Sequence, residues 1–100
     1  MKAGIKYDLE FEALAEEALR RWGADAQINM MCEECAELIQ VLMKRKRNRN
    51  GSTIPEVIEE LVDVEIMLAQ MKNFYSFSRN TWTIQKNIKL RRLKERLKEK

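Results

Sequence analysis

Two short runs of this sequence carry residues that could do chemistry: Cys32-Glu33-Glu34-Cys35-Ala36-Glu37 and Glu60-Leu61-Val62-Asp63. Each holds a carboxylate pair spaced i, i+3, Glu34 with Glu37 and Glu60 with Asp63. At about 100° per residue on a helical wheel, Glu37 falls about 60° to one side of Glu34, and Met31, Leu38 and Leu42 fall within about 80° on the other. Gln27 and Val41 lie close to Glu34 itself. The wet face belongs to Gln40, Lys44 and Glu33, so Glu34 and Glu37 edge the apolar stripe. The second run repeats the arrangement, with Val57, Val64 and Leu68 beside Glu60 and Asp63. Two acid pairs facing a core repel each other and desolvate badly unless something positive lies between them. A hard divalent cation is the simplest such thing.

The pairs can meet only if the elements that carry them are neighbours. Asp8 is placed to cap a first helix, along which Phe11, Leu14, Ala15, Ala18, Leu19 and Trp22 recur at helical spacing, and Gly23 is its stop signal. A second helix is expected from Ala24 or Asp25 to about Arg47. Its basic end, Lys44 to Arg47 with Arg49, reads as solvated cations at a helix C-terminus, or else as a phosphate-gripping loop. Asn48, Asn50 and Gly51 break it. Thr53, with Glu56 three residues on and Pro55 in the first turn, opens a third helix that runs to about Asn73. Its apolar residues cover most of its circumference, which predicts a central helix buried on more than one side. Glu65 falls on that apolar side, where contact with another subunit would account for it. Phe74 to Thr81, with Ser76, Ser78 and Asn80, reads as a loop. A last helix is expected from about Thr81, with Leu90, Leu93 and Leu97 as its apolar line and Lys86 and Lys89 on or beside it. The short loop at 48–52 makes the second and third helices antiparallel neighbours, which brings the acid pairs together.

A single domain of 100 residues is large enough for one core and too small for two. One proline and three glycines, with abundant Ala, Glu, Lys and Leu, indicate an all-α chain. No apolar run is long enough to span a membrane, and no signal peptide is expected at the N-terminus. Two cysteines three residues apart suggest a reducing, cytoplasmic setting. Without histidine or a second cysteine pair, a four-ligand zinc site within one chain is not expected, and Cys32 and Cys35 read as core filler. Trp22, Trp82, Phe74 and Tyr75 read as packing residues rather than base-stacking platforms. Gln27, two turns before Glu34 on its face, could read a base edge or simply be exposed. The net charge of +3 is uneven: residues 86–100 carry eight basic and two acidic side chains, which fits an anionic ligand or partner.

Alone, each acidic pair is a common surface feature. Their equal spacing, their place at the edge of apolar stripes and the short connection between their helices together favour a shared metal site. Gln27, the run Glu33-Glu34-Cys35-Ala36-Glu37-Leu38-Ile39 and then Glu60-Leu61-Val62-Asp63-Val64 resemble the MazG-like members of the all-α NTP pyrophosphatase superfamily, which also holds the dimeric dUTPases. The family pattern is EExxE followed by ExxD, and the resemblance covers roughly residues 22 to 72. It implies a four-helix bundle completed by oligomerisation, as a homodimer or homotetramer, and magnesium-dependent cleavage of a nucleoside triphosphate to monophosphate and pyrophosphate, with manganese as an alternative ion. By position it implies Glu34, Glu37, Glu60 and Asp63 as metal ligands, Glu34 serving also in catalysis, and Glu33 as the residue that orients or deprotonates water. Gln27, Lys86, Lys89 and Arg96 are the substrate-binding candidates. The last helix departs from the family's Lys, Asn, Arg pattern, because Leu93 stands where the Asn would between Lys89 and Arg96. The competing expectations are a small basic nucleic-acid-binding module and a helical oligomerisation partner without activity. The first of these does not account for acids aimed at a core.

Overall fold

The computed structural model describes residues 2–48, 50–75 and 79–99, and the side chains of 9–48, 50–75 and 80–99. Arg49, Ser76 and Ser78, to which the sequence gives a place in a basic run and a loop, lie outside the described residues. Four helices follow one another: α1 (Lys2–Trp22), α2 (Ala24–Arg47), α3 (Ile54–Phe74) and α4 (Arg79–Leu97). The described residues contain no strand, as the composition leads one to expect.

Helix α1 starts earlier than expected. It already runs at Lys2, so Asp8 lies inside it rather than at its cap. Nothing between Lys2 and Tyr7 except Gly4 disfavours a helix, and propensity carries the helix past the capping residue type. Gly23 ends α1 and opens α2 as a single hinge residue. Its φ of +88° is a left-handed conformation that a side chain would strain. It donates to Leu19 O at 2.9 Å, and its carbonyl accepts from Gln27 N at 3.2 Å. Helix α3 opens as its sequence predicts: the Thr53 hydroxyl accepts from Glu56 N at 3.2 Å, and the Glu56 carboxylate accepts from Thr53 N at 3.3 Å.

A constant antiparallel register locks α2 to α3. Arg45 donates to Ser52 O at 2.9 Å at the loop end, and Gln27 donates to Gln70 at 2.6 Å at the far end. One member of the basic run therefore works as a structural clasp. The loop is tight as well, since a Cβ on Gly51 would sit 2.8 Å from Lys44 O.

Helix α3 packs against both α2 and α1, but its outer face is bare. Ile58 and Leu61 are about half exposed, so the helix is not buried on several sides within one chain, as its apolar circumference predicted. Helix α4 brings no Cα within 8 Å of another helix among the described residues. The Lys72 ammonium of α3 reaches it, 4.0 Å from the centre of the Trp82 ring. The radius of gyration, 16.5 Å, exceeds the roughly 13 Å of a packed domain this long. The accessible surface, 8,706 Å², exceeds by about 2,700 Å² the roughly 6,000 Å² expected for a compact monomer of this mass. The apolar residues buried below a tenth exposure, among those described, are Ala15 and Met67.

Because the α3 cap satisfies two otherwise orphaned donors, Thr53→Ala should lower stability by about 1 kcal/mol in a denaturant titration. Gly51→Ala should also destabilise, because the crowding atoms belong to backbone rather than to a movable side chain. An unchanged midpoint for both would show that the α2–α3 connection does not set the register.

Candidate metal centre

The i, i+3 spacing turns each acid pair onto one edge of its helix, and the antiparallel register sets the pairs face to face. Stepping from Gln27 to Glu34 to Glu37 along α2 corresponds to stepping from Gln70 to Asp63 to Glu60 along α3. One carboxylate oxygen from each of Glu34, Glu37 and Glu60 lies within 4.8 Å of the others. Asp63 completes the group as the strongest charge acting on Glu34. Glu34, Glu60 and Asp63 are half-buried, whereas Glu37 is exposed.

Burial pushes the Glu34 carboxyl up to about 7 from its ordinary 4.5, and the charges of Asp63, Glu37 and Glu60 push in the same direction. Glu60 is raised too, first by desolvation and then by Glu37 and Asp63. The charges acting on these two groups are all carboxylates; no cation appears among them. Each of the two carboxyls meets a second one, Glu34 that of Asp63 and Glu60 that of Glu37, but Glu34 Oε2 and Glu60 Oε2 are buried and find no hydrogen-bond partner among the described residues. A buried acceptor left without a donor is costly. These oxygens therefore fit a cation held between the helices. With carboxylates supplying every donor, the site suits a hard, oxygen-seeking ion such as magnesium, calcium or manganese rather than a thiolate-seeking one. Cys32 is exposed and Cys35 half-buried on the same helix, both as free thiols.

The remaining candidates divide. Gln27 is buried on the same seam, so the exposed alternative is excluded for it. Glu33 is exposed beside Glu34. Lys86, Lys89 and Arg96 sit on α4, exposed and apart from the acids within one chain, so the buried edge expected for the two lysines is not formed by a single copy. The seam holds two further participants. Gln70 belongs to no motif of α3, although its distance of seven residues from Asp63 mirrors that of Gln27 from Glu34. Trp22, read as a packing residue, is 62% exposed and lines a cavity on the seam.

No protein-family model matches the chain, and neither a curated protein nor a solved structure matches it. The description of this site therefore rests on its own geometry. It defines an all-helical protein with a four-carboxylate cluster at an interhelical seam.

The raised Glu34 carboxyl makes metal-free stability pH-dependent. The folded chain holds the proton more tightly than the unfolded chain, so its contribution is complete below about pH 4.5 and is lost as pH rises through about 7. Thermal melts in chelator should therefore show a higher midpoint at pH 5.5 than at pH 8. Glu34→Gln should flatten the dependence, and a divalent cation should restore stability above pH 7. A wild-type midpoint that rises from pH 5.5 to pH 8 in chelator would contradict the assigned burial.

Proposed function

We propose that the chain is a metal-dependent hydrolase that cleaves a nucleoside triphosphate at the α phosphorus into monophosphate and pyrophosphate. The observation that carries this reading is the pair of buried, unpartnered oxygens on Glu34 and Glu60 inside the cluster they form with Glu37, with Asp63 acting on both. The MazG-like resemblance of the two acidic runs supplies the reaction class. Glu34, Glu37, Glu60 and Asp63 would hold magnesium. When bound, the ion neutralises triphosphate charge and acidifies water. Glu33, exposed and adjacent in sequence to Glu34, would orient the attacking water and accept its proton as the bond to pyrophosphate breaks. Lys86, Lys89 and Arg96 would hold the β and γ phosphates by charge-assisted hydrogen bonds.

Those cations reach the acids only if α4 docks, and the excess surface of the single chain points the same way. A homodimer or homotetramer is therefore part of the proposal. An excess of about 2,700 Å² per chain, or about 5,400 Å² for a pair, matches the upper end of what obligate interfaces bury in total. No described helix is long and apolar enough to cross a membrane. A cytoplasmic location belongs to the proposal, on the ground of the free thiols. The exposed basic length of α4 favours a second reading, a nucleic-acid-binding module, which leaves the acid cluster without a purpose.

Incubation with mixed deoxynucleoside triphosphates, with and without magnesium, should yield monophosphate and pyrophosphate only with the ion. Asp63→Asn should lower turnover by about two orders of magnitude or more while leaving helicity intact, as loss of several kcal/mol of transition-state charge stabilisation requires. A diphosphate product, or near-normal turnover in that variant, would refute the assignment. Light scattering at micromolar concentration should give at least twice the 11.9 kDa chain mass. A monodisperse monomer would oppose the assembly. Tight, salt-sensitive binding to DNA with no hydrolysis would favour the second reading.

A further inference from the structure

Two helical turns before Glu34, the α2–α3 seam opens into a cavity of about 500 Å³ lined by Trp22, Ala26, Gln27, Met30, Met67 and Gln70. Its chemistry is mixed in a way that narrows the ligand. Gln27 and Gln70 are 5% and 3% exposed and joined by the 2.6 Å hydrogen bond. That bond uses one donor of Gln27 and the acceptor of Gln70. It leaves Gln27 Oε1 able to accept and the Gln70 amide able to donate, the latter otherwise engaged only by a weak contact to Met67 Sδ at 3.7 Å. Two thioethers flank the amides, and methionine sulfur is a soft, favourable neighbour for aromatic rings. Trp22 offers a large flat face to solvent at the rim.

A phosphate or carboxylate would meet no cation in this lining. A purely aliphatic ligand would leave the amide groups unanswered. A flat heterocycle with a donor and an acceptor side by side on one edge answers all of them, as a carboxamide does when it grips a base edge with one donor and one acceptor. The seam also sets a distance. Gln27 precedes Glu34 by seven residues, about 10 Å along the helix, which suits a nucleoside lying between the amide pair and the carboxylates. We propose that this cavity is the nucleobase chamber, in which Gln27 and Gln70 read the base edge and Trp22 stacks on its face. The inference rests on the proposed triphosphate hydrolysis and adds to it the residues that determine base specificity.

Calorimetric titration of the full-length chain in magnesium tests it, with four non-hydrolysable α,β-imido deoxynucleoside triphosphates and inorganic tripolyphosphate as ligands. The wild type should bind at least one analogue about ten- to hundredfold more tightly than tripolyphosphate, the range that one base–aromatic stack contributes. Trp22→Ala and Gln70→Leu should each remove about tenfold or more of that preference, and Trp22→Ala should leave tripolyphosphate affinity unchanged. Trp22→Phe should restore it, and because Trp22 is exposed its variants test the chamber even if Gln70→Leu unsettles the seam. Tripolyphosphate binding with no gain for any base would overturn the chamber and leave the hydrolase reading standing. Equal weakening of tripolyphosphate and analogues in the Trp22 variant would reduce its role to a structural one and overturn the chamber. No magnesium-dependent binding of either kind of ligand would overturn both.

Discussion

Like charges must be kept close along the α2–α3 seam, and the rest of the structure answers to that requirement. Ordinary helix pairs exclude water from a strip of aliphatic side chains. Here the strip is interrupted by Gln27 against Gln70, Glu34 near Asp63 and Glu37 near Glu60. Of the five residues buried below a tenth exposure among those described, Gln27, Ser52 and Gln70 are polar. The carboxylates oppose the packing that holds them, as the raised Glu34 shows. Something else must therefore hold the helices in register. That work falls to the two ends of the seam: the Arg45 clasp and Thr53 cap at one, the glutamine bond at the other. The like-charged middle is held from its ends.

Much of this was legible in the sequence, because it depends on local rules. Gly23, Thr53 with Glu56, and the Asn48–Gly51 break mark helix boundaries by backbone chemistry that needs no tertiary context. The meeting of the acid pairs followed from equal spacing and a short loop. The illegible parts depend on partners. A helical wheel reports which residues share a face but not what covers that face. It therefore predicted a buried α3 where Ile58 and Leu61 are half bare, and gave a buried edge to Lys86 and Lys89, which are exposed. Gln70 was missed for the converse reason. A glutamine counts as polar on any wheel, and only the cross-helix register shows that its partner is another buried amide. Asp8 shows that a capping residue type does not end a helix when the residues before it are willing to continue.

The same polarity would tie the proposed function to assembly. A seam lined with acids and amides excludes little apolar surface, and the single chain is left with a core too small for its length. Leu90, Leu93 and Leu97 on α4 are each at least 46% exposed, and so are Ile54, Ile58 and Leu61 on α3. A seam rebuilt with leucines would release the chain from this need, but it would also remove the oxygens that make the site. In the proposed assembly the two shortages resolve together. The helix with apolar surface to bury is also the helix with the cations, and the acidic seam lies between faces that lack an apolar cover. Docking α4 from either copy would cover aliphatic surface and place positive charge near the carboxylates in one step. Once cation and phosphates are present, that added charge would be balanced by the ligand rather than by the acids alone. Affinity for the substrate and stability of the assembly would then be linked through the same helix.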